Sequence, residues 1–203
     1  MNRGKTIAIA ASAAILGTLL GAPTVGAQQQ GQDKTIRQAF RTGCMAGPLY
    51  TTCGNRLDET VLQGLAHVTW KGDGVKALLA ESWSTPDNGA TWIFKLRKGV
   101  KWHDGKPFTA DDVVFSYNLY ADPAAASIIA NNLSDIKGYD DFRNGKAASL
   151  AGVSKVDSHT VKFELSGPRP LWVELKQIYL SILPKHILGD VKPSEIARSP
   201  FWT

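Results

Sequence analysis

The 203 residues hold only two cysteines, Cys44 and Cys53, two methionines and four histidines. Neither CxxC nor HxxxH spacing occurs among them, so the sequence carries no signature of a protein-bound zinc site. The motifs of nucleotide binding and acyl transfer, namely the P-loop, GxGxxG and GxSxG, are also absent. No block of a single charge sign occurs. Lys and Arg number 23 against 18 Asp and Glu, giving +5. They are interspersed, as in "RKGVKWHDGK", which speaks against a nucleic-acid footprint. Long apolar runs are just as scarce. The one at residues 7–20 falls short of the roughly 18 residues that a membrane span requires.

That run has another use. Arg3 and Lys5 precede it, and "GAPTVGA" follows it with the small residues Val25 and Ala27 at the spacing a signal peptidase reads. Residues 1–27 are therefore expected to form a secretory signal. Their removal takes away Arg3 and Lys5 and no acidic residue, leaving +3 on the mature chain. Cys44 lies well downstream of the cleavage region, unlike a lipid-anchor cysteine, so an exported, unanchored protein is expected. In an oxidising compartment Cys44 and Cys53 can close a disulfide around "CMAGPLYTTC", which would stabilise by on the order of 2–3 kcal/mol. Two reduced thiols holding a metal are the alternative, with no nearby histidine to complete such a site.

The mature segment mixes strand and helix patterns. "KTIRQAF" is a short strand candidate. "RLDETVLQGLAHV" sets Leu57, Val61, Leu62 and Leu65 at helical spacing. After the turn signal "KGDG", "VKALLAESW" leads into the turn-rich "STPDNGA". In "TWIFKLR", Trp92, Phe94 and Leu96 alternate with Ile93, Lys95 and Arg97, as in a half-buried strand. Trp83, Trp92 and Trp102 are the expected aromatic core. Gly99, Asp104-Gly105 and Pro107 then end the strand in a turn. Thr109 stands as an N-cap with Asp112 three residues on, opening the helix "ADDVVFSYNLYA" that Asp122-Pro123 closes. On its wheel Val113, Val114, Tyr117, Tyr120 and Ala121 share one face, whereas Phe115 and Leu119 point nearly opposite. A second apolar surface needs a second partner, either another packed layer or a ligand cleft lined by Phe115. Farther on, "GVSKVDSHTVKFEL" reads as a hairpin, and "LWVELKQIYLSILPKHIL" resumes apolar periodicity.

One stretch invites an enzyme reading. His103 and Asp104 are adjacent in "WHDG", but neighbouring side chains on an extended strand point to opposite faces, so a turn explains the pair better than a catalytic dyad. An exported metal-dependent hydrolase built on these two residues is the alternative function.

The order of the pieces is more specific than any piece alone. "LAESW", a polar turn, "TWIFKLRKGVKWHDGKPFTADDVVFSY" and "ADP" resemble the signature region of the family 5 extracellular solute-binding proteins. These are the dipeptide, oligopeptide and nickel-binding receptors of ABC importers. "GVSKVDSHTVKFELSGPRPLW" and "SILPKHIL" resemble later segments of that family in the same order, so the likeness runs from about Leu62 onward. Two departures precede it: Gln63-Gly64-Leu65 stands where many members have "EGL", and "CMAGPLYTTC" is not a family hallmark.

The resemblance implies an α/β, periplasmic-binding-protein-like two-lobed fold with an extra domain, represented here by its N-terminal portion. It places the start of the first lobe at 28–64, an extra α+β domain at 65–175 and a return toward the first lobe at 176–203. It implies a monomeric periplasmic receptor that takes a peptide-like solute to a membrane permease, with no nucleic-acid partner, cofactor, resident metal or catalysis. A sensory or chaperone-like relative is a further alternative. By residue matching, Phe115 and the segment Tyr50, Thr51 and Thr52 are expected to touch the solute.

Overall fold

In a computed structural model the described residues are 62–69, 74–176 and 180–202. The strand expected at 34–40, Cys44 and Cys53, and Tyr50, Thr51 and Thr52 lie outside them. Two short strands, β1 (Ala66–Val68) and β2 (Val75–Ala77), form an antiparallel pair, with Ala66 opposite Ala77. Four more strands make an antiparallel sheet: β3 (Ala80–Ser84), β4 (Thr91–Leu96), β5 (Val153–Asp157) and β6 (Thr160–Glu164), in the order β3-β4-β6-β5. Both hairpins are local. The connection between β4 and β5 carries the principal helix.

That helix, α1 (Ala110–Ala121), begins where the sequence places it. Thr109 Oγ1 accepts from Asp111 N at 3.3 Å, while Asp112 Oδ2 accepts from Thr109 N at 2.9 Å. The first-turn N–H groups thereby gain partners, and two carboxylates sit at the positive end of the helix dipole. At the far end Asp122 adopts an extended backbone and Pro123 follows, which stops the helix. Three further α-helices are short, α2 (Tyr139–Arg143), α3 (Trp172–Lys176) and α4 (Lys185–Leu188), and 3-10 segments occupy Pro123–Ala125, Ala130–Leu133, Pro193–Arg198 and Pro200–Trp202.

The core forms where the central strands meet α1 and α3. Trp92, Phe94 and Leu96 of β4 are buried as their alternation requires, and Val161 and Phe163 of β6 lie opposite Phe94 and Trp92. Phe163 packs at 4.7 Å from the Tyr117 ring of α1 and 5.2 Å from the Trp172 ring of α3. Phe94 meets Phe163 edge-on at 5.4 Å. Such tilted and edge-on pairs are favoured by the ring quadrupole and add to the burial of area.

Two expectations need correction, and one is resolved. The helix expected over "RLDETVLQGLAHV" does not extend through its described part: Leu62 and Leu65 are buried in an irregular passage that runs into strand β1. Pairing with β2 outweighs a periodicity that an extended buried segment satisfies equally well. Trp83 and Trp102 are only partly buried, and Trp172 takes the place expected for them in the core. Trp83 lies on β3, the terminal strand of this sheet among the described residues. On α1, Val114 is half-buried, and Leu119, expected on the far side, is buried at 5% exposure. The helix is enclosed on more than one side. Asn118 Oδ1 accepts from Leu150 N at 2.8 Å, and Arg143 Nη1 donates to Ala121 O at 3.3 Å, drawing the α2 region onto it.

Candidate functional site

Helix α1 carries Phe115, the one expected solute-contact residue among those described. It is half-buried at the margin of the core, next to the fully buried Ser116. The turn that leads into α1 is also well defined: Lys101 bridges to Pro107, and Trp102 N donates to Lys106 O at 2.8 Å. Beside this turn lies a cavity of about 250 Å³ whose lining includes Leu62, Gln63, Val100, Lys101, Trp102 and His103. A lining that mixes apolar residues with Gln63, Lys101 and His103 suits contact with a small polar molecule. A second cavity, of about 330 Å³, is lined by Pro170, Leu171, Trp172 and Leu175, with Arg169 and Asp135 at its edge. The two edge residues pair at 3.3 Å.

His103 and Asp104 lie in a turn and are exposed. Asp104 is engaged elsewhere: its Oδ1 accepts from Lys106 N at 3.0 Å, and its Oδ2 lies 2.7 Å from His186 Nε2. The His186 ring also packs 6.3 Å from Trp102. The hydrolase reading thus loses its pair, and the actual partner, 82 residues away, gives no local signal in the sequence. Among the described residues no group of three or more His, Cys, Asp or Glu side chains could hold a metal ion.

Three turn carboxylates share one electrostatic pattern. Asp87 accepts from Thr91 N at 2.6 Å, Asp104 from Lys106 N and Asp157 from His159 N at 2.7 Å. These backbone donors hold all three carboxyls below the ordinary value of 3.8, and His186 adds to the effect at Asp104. Each stabilises the fold above its unfolded pKa, and that contribution is lost as pH falls through the lower folded value. Stability in urea is therefore expected to hold level down to about pH 5 and to decline below about pH 4, modestly because the groups face solvent. A variant with Asn at all three positions should show a shallower acid decline. An unchanged decline would assign the acid sensitivity to other carboxyls.

The sequence profile of the bacterial extracellular solute-binding proteins, family 5 middle region, matches residues 74–202. The chain belongs to this family. It is 32% identical over 179 residues to the oligopeptide-binding protein AppA of Bacillus subtilis, covering 88% of this chain and 30% of that protein. The crystal structure of Haemophilus influenzae OppA in complex with the peptide RPPGFSPFR superposes with a TM-score of 0.61 at 31% identity, over 67% of this chain and 27% of that one. Campylobacter jejuni NikZ in complex with Ni(L-His) superposes with a TM-score of 0.62 at 28% identity, over 79% of this chain and 29% of that one. The chain thus spans less than a third of the length of the family 5 relatives it matches here. Its strands and helices are those of the expected α/β class, and their arrangement is one found in family 5 receptors.

Reading the sequence for a site missed the second role of α1. Asp112 is a cap residue, yet its other oxygen, Oδ1, accepts from Lys185 N at 3.0 Å. Ser116 and Tyr120 also reach the chain as it returns. The signal was their common spacing of four along the buried stripe, which places them on one line of the helix.

Proposed function

We propose that the chain is part of a periplasmic receptor that captures a peptide-like solute and delivers it to the membrane permease of an ABC importer. It acts as a monomer by closing around the solute without changing it chemically. The observation that carries this reading is the fold of the described residues, which is shared with a receptor crystallised with the peptide RPPGFSPFR. Extended peptides suit such capture because main-chain hydrogen bonds supply affinity while roomy side-chain pockets tolerate sequence. Closure around the solute creates the surface that a permease can distinguish from the empty receptor.

In this reading residues 1–27 direct export, 28–64 begin the first lobe, 65–175 form the extra domain and 176–203 return toward the first lobe. Phe115 packs against the solute and, lacking a phenol hydroxyl, contributes no hydrogen bond from its ring. Tyr50, Thr51 and Thr52 supply contacts from the first lobe.

The test is native mass spectrometry of the receptor isolated from the periplasm of the organism that makes it. A small adduct shed on activation and identified as a peptide is the expected result. A nickel–amino acid adduct would move the solute class toward that held by NikZ, and a protein that never carries a solute would overturn the reading. Phe115→Ala is expected to weaken binding of the released solute by about tenfold, or about 1.4 kcal/mol. Isothermal titration measures this, and an unchanged affinity would remove Phe115 from the site.

A further inference from the structure

The polypeptide passes the edge of the sheet body twice, at Leu62–Leu65 on the way in and Leu180–Pro184 on the way back. The two passages touch. Ile182 N donates to Gln63 O at 2.9 Å, and a Cβ on Gly64 would lie 2.7 Å from Leu180 O. The inward passage is also held by backbone on its other side: Leu79 N donates to Gly64 O, and both Leu78 N and Ala80 N donate to Leu65 O. The return passage has a different fastening, made by side chains of α1.

Tyr120 donates from its hydroxyl to Ser181 O at 2.9 Å. Ser116 Oγ accepts from Leu183 N at 2.8 Å and donates to Asp112 O at 2.6 Å. Asp112 Oδ1 accepts from Lys185 N at 3.0 Å. The helix residues step by four while the passage residues step by two, in the opposite direction. Four helical residues rise about 6 Å, and two residues of extended chain advance about 6.6 Å, so the repeats stay nearly in register over three rungs. All three helix residues are buried: Asp112 is 4% exposed, and Ser116 and Tyr120 are fully enclosed. Breaking a rung there leaves a backbone group without its partner in a dry environment.

We propose that Asp112, Ser116 and Tyr120 form a side-chain zipper that makes α1 and the return passage one rigid body, positioning Phe115 for solute binding. This rests on the receptor reading above. Phe115 directly precedes Ser116 on the same helix, so a shift of α1 under the solute carries the return passage with it. Both passages are thereby fastened, and bending toward the rest of the receptor is left to residues outside them. The three residues are positioning residues, since none is placed against the solute.

Hydrogen–deuterium exchange on the receptor as its organism makes it, with and without its co-purified solute, tests the zipper. Segment 181–185 is expected to exchange as slowly as β4 and β6. In Tyr120→Phe and Ser116→Ala that segment should exchange at least tenfold faster with β4 and β6 unchanged, and solute should dissociate about tenfold faster. Ser116→Thr, which keeps the hydroxyl, should restore both rates. If Ser116→Ala does not fold, Tyr120→Phe alone decides, because it removes one oxygen and leaves the ring in place. Rapid exchange of 181–185 in the unsubstituted protein, or equal acceleration of sheet and segment in the variants, would overturn the zipper. A loosened segment with unchanged solute dissociation would overturn its positioning role. A receptor that carries no solute fails the functional reading separately and overturns the positioning role with it, while exchange still decides whether the zipper exists.

Discussion

Phe163→Ala is expected to destabilise the protein by about 3–5 kcal/mol, the range for removing a large aromatic side chain from a core. Phe163 is fully buried on a central strand and touches rings from three other elements: Phe94 at 5.4 Å, Trp172 at 5.2 Å and Tyr117 at 4.7 Å. These neighbours are anchored on β4, α3 and α1, so they cannot all close the cavity by moving together. The loss therefore combines transfer free energy with a residual void. Urea unfolding should show a much lower midpoint with little change in slope. Val156→Ala is the control: Val156 is on the neighbouring strand β5 but is 59% exposed, and its replacement should cost within about 0.5 kcal/mol. A loss below about 1.5 kcal/mol for Phe163→Ala would mean that the aromatic cluster repacks freely, contrary to its distribution over separate elements.

Gly89→Ala is expected to cost about 3 kcal/mol, although it adds only one methyl group, because Gly89 is buried within its turn. Gly89 has φ +90°, where a side chain is strained, and its Cβ would lie 2.4 Å from Arg169 C and 2.5 Å from Arg169 O. These are backbone atoms and cannot swing aside. The glycine is also held on both polar groups. Its N–H donates to Thr85 Oγ1 at 2.7 Å, and its carbonyl accepts from Arg169 N at 3.1 Å and Trp92 Nε1 at 3.2 Å. Relief of the clash must therefore break the joint between the β3–β4 turn and the segment that leads into α3. Gly105→Ala separates the two contributions. Gly105 has φ +86° with nothing within 4 Å of the added carbon, so it should lose only the conformational part, about 1 kcal/mol. Equal losses at the two glycines, measured by urea unfolding, would show that the close approach to Arg169 is unimportant.

The elements legible in the sequence are those whose determinants lie a few residues apart. The capping box needs only Thr109 and Asp112. The β5–β6 hairpin needs an alternating pattern on each side of a turn, and β4 needs Trp92, Phe94 and Leu96 at every second position. Leu62 and Leu65 were misread because burial alone explains their spacing, and pairing of β1 with β2 decides the backbone there. At the site, the helical wheel placed Phe115 nearly opposite the main apolar face, and the structure sets it half-buried at the margin of the core. The wheel could not choose the neighbours of that margin.

By itself, then, the sequence determined helix cap and strand alternation, because periodicity and short-range hydrogen bonds are fixed along the chain, while family and class rested on the ordered likeness of its segments to family 5. Tertiary structure alone decided that Asp104 meets His186 rather than His103, that Trp172 takes the central aromatic position, and that Asp112, Ser116 and Tyr120 face Lys185, Leu183 and Ser181. The reason is that the hydrogen-bonded partners lie 61 to 82 residues apart, and Trp172 meets Trp92 and Phe94 of the distant strand β4. Such pairs are set by which surfaces the folded core presses together, and no local pattern encodes that choice.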